Sequence, residues 1–265
     1  LIEKGELTSG STWHAAGQCP SISGSYNIAK IHHYGNTLYP KLEAMTGQYT
    51  GWHGCGGIRL ATNQDEADWF RYVLGFSRII GFGMELIGPN EIKRYNPFVN
   101  VDGVVLGART MDDGHVDPAG CCNALAIGAR KFGAEIVRGN RVTDIKRLPN
   151  GEWLVVTEQG NIAAEHVVNA AGCYARQIGE MVGIDVPITN MEHHYLVTET
   201  IKEFQERDAE IPVMRDPYTA GYYRQEQKAG LIGIYEHEGA REAWSHRGGW
   251  PEWSSQIELF AGDFD

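Results

Sequence analysis

The sequence has no apolar run approaching the roughly 18 consecutive residues of a membrane-spanning helix, so no helical membrane span is expected. It is also short of positive charge. Against 34 Asp and Glu stand 23 Lys and Arg, a formal net charge of -11, and nucleic acid is therefore not an expected partner, because a phosphate backbone calls for a basic face. Cysteine is sparse and unpatterned: Cys19, Cys55, Cys121, Cys122 and Cys173 form an odd set without C-x-x-C spacing. They read as free thiols of a reducing compartment. The adjacent pairs His32-His33 and His193-His194 project apart on a helix or a strand, with no carboxylate or thiolate completing a shell beside them, so no metal is expected. Internal repeats and low-complexity segments are missing too.

What is present describes a globular protein. A length of 265 residues suits one large domain or two closely joined ones, and 42% hydrophobic with 22% charged residues is ordinary for a water-soluble core-and-surface pattern. The 33 glycines cluster where strands meet helices or loops, which suits a nucleotide-cofactor protein. The chain opens on Leu1 in what reads as a strand end, and the expectation is a fragment of a longer polypeptide.

Helical spacing runs from Ile28 to Met45, with Ile28, Ile31, Leu38 and Leu42 on one face. A short strand at Ile58–Leu60 and helices at Gln64–Phe76 and Asn90–Tyr95 follow. Asp117-Pro118 supplies an N-cap and a first-position proline for a helix whose apolar stripe is Cys122, Leu125, Ala126, Ala129 and Phe132, stopped by Gly133. Strands are expected at Ala134–Arg138, Arg141–Leu148, Trp153–Glu158 and Ile162–Ala164, with Asn150-Gly151 turning a hairpin. The run His166–Gly172 reads as an apolar strand stopping at glycine, followed by a helix near Tyr174–Val182. A later sheet region is expected at His194–Glu199, Gly221–Gln225 and Leu231–Tyr235.

Several segments have the composition of a cofactor site. A carboxylate at a strand end, Glu3, can accept ribose hydroxyls in doubly wound nucleotide folds, although a surface role fits it equally. The run Ser9-Gly10-Ser11-Thr12-Trp13-His14-Ala15-Ala16-Gly17 combines small residues that allow close backbone approach with hydroxyls suited to a pyrophosphate or flavin edge. His14 within it is either a satisfied structural residue or a contact to a planar cofactor.

Taken in order, Glu3-Lys4, the Ser9–Gly17 run, Asp113-Gly114-His115-Val116-Asp117-Pro118, Val168-Asn169-Ala170-Ala171-Gly172 and His193-His194-Tyr195 resemble the dimethylglycine and sarcosine dehydrogenase branch of the D-amino-acid-oxidase-like FAD-dependent oxidoreductases. The resemblance covers essentially the whole chain. It implies an α/β fold in which a doubly wound FAD-binding domain (residues 1–50 and 115–187, without its phosphate loop) is interleaved with a mixed-sheet substrate domain (51–114 and 188–265). His14 matches a histidine that carries FAD covalently, and Gly10 through Gln18, including Ala15 and Ala16, match the loop wrapping the flavin. Glu3 and Lys4 match the adenosine end, Val142 the strand backbone that meets adenine, and Ala171, Gly172 and Tyr174 the strand end beneath the cofactor. Gln18 and Cys19-Pro20 depart from the usual apolar residues, and Cys173-Tyr174 from two aromatics.

His193 matches a histidine facing the flavin and Tyr222 a cavity tyrosine, with Tyr223 as the neighbour if the register slips by one. The implied reaction is oxidative N-demethylation of dimethylglycine or sarcosine, by hydride transfer from the N-methyl carbon to flavin. Electrons would pass to an electron-transfer flavoprotein or to oxygen, and tetrahydrofolate would bind only elsewhere in a full-length protein. The expected compartment is the cytoplasm, or the mitochondrial matrix in a eukaryote. Alternatives are an oxidase of another secondary or tertiary amine and a non-catalytic flavin- or ligand-binding fragment.

Overall fold

The computed structural model describes residues 1–191 and 193–236. In chain order the elements are β1 (Gln18–Cys19), α1 (Tyr26–Thr46), β2 (Gly57–Ala61), α2 (Gln64–Ile80), β3 (Met84–Ile87), α3 (Pro89–Tyr95), β4 (Leu106–Thr110), β5 (Gly114–His115) and α4 (Pro118–Lys131). There follow β6 (Val142–Arg147), β7 (Trp153–Thr157), β8 (Gly160–Ala164), α5 (Ala175–Glu180), β9 (His194–Val197), α6 (Lys202–Gln205), β10 (Val213–Asp216), β11 (Gly221–Glu226) and β12 (Ala229–Ile234). The architecture is α/β with a large mixed sheet, as the fold class expected.

The chain divides into two compact units. The larger gathers Ala16–Ala124 with the described residues from 193 to 236, and the smaller gathers Leu1–Ala15 with those from 125 to 191. These boundaries differ from those expected for the domains. Residues 16–50 belong to the larger unit because α1 packs on β1 and α2, and residues 115–124 follow because β5 pairs with β1. The expected tail of the substrate domain, residues 237–265, lies outside the described residues.

The larger unit is built on a seven-stranded sheet, ordered β3-β4-β2-β10-β11-β12-β9. Its pairs are antiparallel except β2 with β10. One face is covered at the β3-β4-β2 end by α2, whose Ala67, Phe70 and Val73 bury against Ala61, Met84 and Ala108 together with Ala29 of α1. The opposite face packs Ile58, Leu60, Ile87 and Met214 against Ile92 of α3. The helices stand where capping chemistry puts them. Asn63 accepts from the Glu66 N–H at 2.9 Å at the start of α2, and Gly81 ends it with a left-handed φ of 101°. Asp117 accepts from the N–H groups of Ala119 and Gly120 at the start of α4.

Two expected apolar faces hold only in part, at Leu38 and Leu42 of α1 and at Ala126 of α4. In α1 the buried residues are Ala29, Asn36 and Leu42, and Ile28 and Ile31 are exposed. A polar residue, Asn36, is drawn inward by partners on other segments, which a hydrophobic count cannot anticipate. In α4 the buried residues are Cys121, Ala124 and Ala126, whereas Leu125 is exposed and Phe132 is 87% exposed.

The smaller unit holds the three-stranded antiparallel sheet β6-β7-β8. Residues 134–138 form no strand; the chain there makes a single parallel bridge, Ile2 with Val137. The run His166–Ala171 is irregular as well, with Val168 86% exposed. Its apolar composition suits a buried strand, but no neighbouring strand pairs with it among the described residues.

Candidate functional site

Strand register places a row of side chains on one face of the large sheet. Arg59 of β2 lies opposite Arg215 of β10, Arg215 opposite Tyr222 of β11, Tyr222 opposite Gly233 of β12, and Gly233 opposite Tyr195 of β9. Directly paired residues share a face, so two guanidiniums and two phenols are aligned across five strands, with Gly233 of β12 between the phenols. Glycine at 233 has a steric reason. A Cβ there would lie 2.0 Å from Cζ of Tyr222, so the Tyr222 ring lies across the bare backbone of β12.

His193 and Tyr222, both expected at the site, are brought together. The His193 Nε2 and Tyr222 hydroxyl are 3.0 Å apart, and the His193 ring stacks on Tyr235 at 4.3 Å with 12° between planes. Tyr222 is 5% exposed. Burial, followed by the neighbouring Tyr235, pushes its phenol up to about 12, against the opposing pull of Arg215. Burial and the neighbouring His194 move the His193 imidazole below its ordinary value, with Glu236 pulling the other way. Near neutral pH the pair is therefore a protonated phenol hydrogen-bonded to an uncharged imidazole. Tyr223 points to the other face, where it packs with Ile58 and Met214; its hydroxyl meets Thr219 at 2.9 Å.

The sequence reading did not single out Arg59 and Arg215. The Nε atoms of both are buried without a hydrogen-bond partner among the described residues. The Arg59 guanidinium lies 4.8 Å over the Trp69 ring, and burial, then the charge of Arg215, lowers its proton affinity. Two adjacent guanidiniums with unspent donors suit one carboxylate. The available signal was an arginine inside a buried apolar strand, Ile58-Arg59-Leu60, since arginine is rarely enclosed without a task.

The expected cofactor residues divide between the units. In the smaller unit Glu3 follows the Ile2–Val137 bridge and its carboxylate accepts from the Gly5 N–H at 2.9 Å. The Lys4 ammonium sits 4.1 Å over the Tyr174 ring. Gly10, Ser11, Thr12 and Trp13 lie in an exposed series of turns, and the Ser11 hydroxyl meets Cys173 at 3.1 Å, next to Gly172 with its φ of 56°. Ala171 opens the short turn of 3-10 helix at Gly172–Tyr174. Val142 begins β6, paired with Thr157. His14 stacks against Trp13 at 3.8 Å, and both of its ring nitrogens are buried without a hydrogen-bond partner among the described residues. An imidazole in that condition is incomplete, which fits a residue that bonds to a cofactor.

In the larger unit Ala16, Gly17 and Gln18 have partners within the protein. Arg224 donates to the Ala16 carbonyl at 2.6 Å, and the Gln18 amide donates to the Tyr223 carbonyl at 3.1 Å. Gly17 has to be glycine because a Cβ would lie 2.2 Å from the Val116 carbonyl oxygen.

Residues 1–257 match the FAD dependent oxidoreductase (DAO) family. The chain belongs to that family. It is 40% identical over its full length to rat dimethylglycine dehydrogenase, mitochondrial, of which it spans 31%. Over 89% of its length it is 33% identical to human sarcosine dehydrogenase, mitochondrial, and covers 26% of that protein. The chain thus spans about a third or less of the curated relatives it matches. Among solved structures it resembles L-proline dehydrogenase from P.horikoshii, with a TM-score of 0.78 and 26% identity over 88% of this chain and 61% of that one. FAD is accordingly the family's cofactor. No described helix is long and apolar enough to cross a membrane.

Proposed function

We propose that this chain is the FAD- and substrate-binding part of an enzyme that oxidises the N-methyl group of a small amino acid, dimethylglycine or sarcosine. The observation that carries the reading is the His193–Tyr222 pair standing in register beside Arg215 and Arg59. The 40% identity to a dimethylglycine dehydrogenase supports the choice of substrate.

When bound, FAD supplies a two-electron acceptor for oxidising a carbon attached to nitrogen. His14 is its covalent attachment point on this reading, Gly10 through Gln18 are its wrapping loop, and Glu3, Lys4, Val142, Ala171, Gly172 and Tyr174 hold its nucleotide end and underside. The chain's own contribution to the substrate is positional and protonic. Arg215 and Arg59 hold the carboxylate. An ammonium has no lone pair to stabilise a forming iminium, so the amine must lose its proton first. His193, uncharged at neutral pH, takes that proton, and the Tyr222 hydroxyl, 3.0 Å from Nε2, accepts a hydrogen bond from the imidazolium. The electrons leave to an electron-transfer flavoprotein or to oxygen. Folate binding, on this reading, belongs to other parts of the full-length protein.

Anaerobic mixing of the full-length protein with dimethylglycine or sarcosine, followed by flavin absorbance, tests this. Bleaching is expected, slowed about 100-fold in Tyr222→Phe and His193→Asn. Because the His193 pKa is depressed, its basic form is present through neutrality; the rate should hold on the alkaline side and fall as pH drops through a value below 6.5. His193→Asn should remove that fall. Bleaching by neither substrate, or at unaltered rates in both variants, would overturn the reading.

A further inference from the structure

Away from the Arg–Tyr row, the larger unit brings two histidines and a carboxylate to one point. His53 and His115 face each other in an antiparallel bridge, exchanging backbone hydrogen bonds of 2.9 and 3.1 Å. Residues paired in this way present their side chains on the same side. The approach depends on Gly114, since a Cβ there would lie 2.0 Å from the His53 carbonyl oxygen. The two imidazoles consequently stack, with centroids 4.7 Å apart and 17° between planes.

Glu210, on the segment entering β10, meets both rings. One carboxylate oxygen is 2.7 Å from His53 Nδ1 and the other 2.5 Å from His115 Nε2. All three donor atoms lie within 4.8 Å of one another. The His115 side chain is 8% exposed, that of Glu210 22% and that of His53 46%, so one flank of the cluster is open to water.

We propose that His53 Nδ1, His115 Nε2 and the Glu210 carboxylate bind a divalent cation of the zinc type, with water completing the coordination. Two imidazoles and one carboxylate suit zinc far better than the oxygen-seeking magnesium or calcium. Bonds of about 2.0–2.2 Å around a tetrahedral ion set its donors roughly 3.3 Å apart, so the nitrogen–oxygen contacts of 2.7 and 2.5 Å have to open by under about 1 Å, with all donors already within 4.8 Å of one another. The ligands come from three separate segments, and the ion ties the β5 bridge to the entry of β10, the strand that carries Arg215. The site uses none of the side chains proposed for amine oxidation, although His115 pairs with Gln18 across β1 and β5, and its presence does not depend on that reading.

The test uses the full-length protein, stripped with a chelator, loaded with Zn2+ and desalted. About one equivalent of zinc removable by His53→Ala is expected, and Co2+ in its place should give tetrahedral d–d bands beyond the flavin absorption. His53→Ala and Glu210→Gln should each weaken Zn2+ binding by at least about 100-fold, more than loss of an outer-shell partner does. His53 is half exposed, so its replacement leaves the fold intact; amine-driven bleaching in that variant reports folding separately. No retained zinc, or zinc retained equally in both variants, would overturn the site.

Discussion

Asp113 and His14 are both withdrawn from water, yet their surroundings treat them differently. Asp113, 3% exposed, accepts from the Ser21 N–H at 2.8 Å, from the Asn36 amide at 3.3 Å and from the Thr110 hydroxyl, tying the approach to α1, the middle of α1 and the end of β4 into one hub. His14 has two buried nitrogens with no partner for either among the described residues, and the Nε atoms of Arg59 and Arg215 share that condition. Buried polar groups normally find partners. For this pair the contrast is between a residue whose partners fix shape and one that, on the proposed reading, is completed by the cofactor.

The sharpest way to break this comparison is at His14. His14→Ala should abolish flavin fluorescence on the acid-denatured protein band of the full-length enzyme while leaving its unfolding midpoint nearly unchanged. Fluorescence that survives would mean non-covalent flavin, and a large stability loss would make His14 a frame residue.

At Asp113 the opposite pattern is expected. Asp113→Ala strands three donors and should cost about 3 kcal/mol, read from denaturant unfolding. Burial raises the Asp113 pKa above its ordinary 3.8, against the opposing hydrogen bonds from Ser21 and Thr110. The folded state then holds the proton more tightly than the unfolded chain. The stabilisation is fully present below 3.8 and is lost as pH rises through the higher folded value. Asp113→Asn keeps the acceptor for Ser21 and should flatten that part of the pH dependence.

Gly233→Ala lies between the two cases. Its Cβ meets only the far end of the Tyr222 ring, so the sheet should survive while the phenol moves, lowering the bleaching rate about 10-fold, some 1.4 kcal/mol of barrier. An unaltered rate would show that the position of Tyr222 does not matter. Smallest of all is Arg71→Ala, which removes an exposed ion pair with Asp68 on α2 and should change stability by under about 0.5 kcal/mol.

How much of this was legible beforehand follows from the range of the forces involved. Caps act over three or four residues, so Asn63 and Asp117 announce their helices in the sequence. The β11–β12 hairpin was legible for the same reason, its strands being separated only by a tight turn. Strands β1, β3, β4, β5 and β10 were missed. Leu-Gly-Ala-Arg-Thr in β4 has little apolar alternation and becomes a strand through its neighbours on both sides. At the site, His193 and Tyr222 were reached through resemblance, since nothing within reach of either in sequence predicts a 3.0 Å contact. Arg59 with Arg215, and His53 with His115 and Glu210, are products of register and long-range pairing, invisible to any reading that moves along the chain. The strand expected at His166–Gly172 failed from the other direction: its composition is right, but a strand needs a partner.

The parallel pairing of β2 with β10 carries a consequence for how the protein comes into being. Antiparallel neighbours can zip as they leave the ribosome, but this seam joins segments separated by roughly 150 residues, and closing such a loop costs about 4 kcal/mol of chain entropy. Until residue 216 has emerged, β2 is an open edge with Arg59 beside it, able to recruit a strand from another molecule. The seam that aligns the two guanidiniums thus waits until most of the described chain has been made. During synthesis it is also where a nascent chain is most exposed to aggregation.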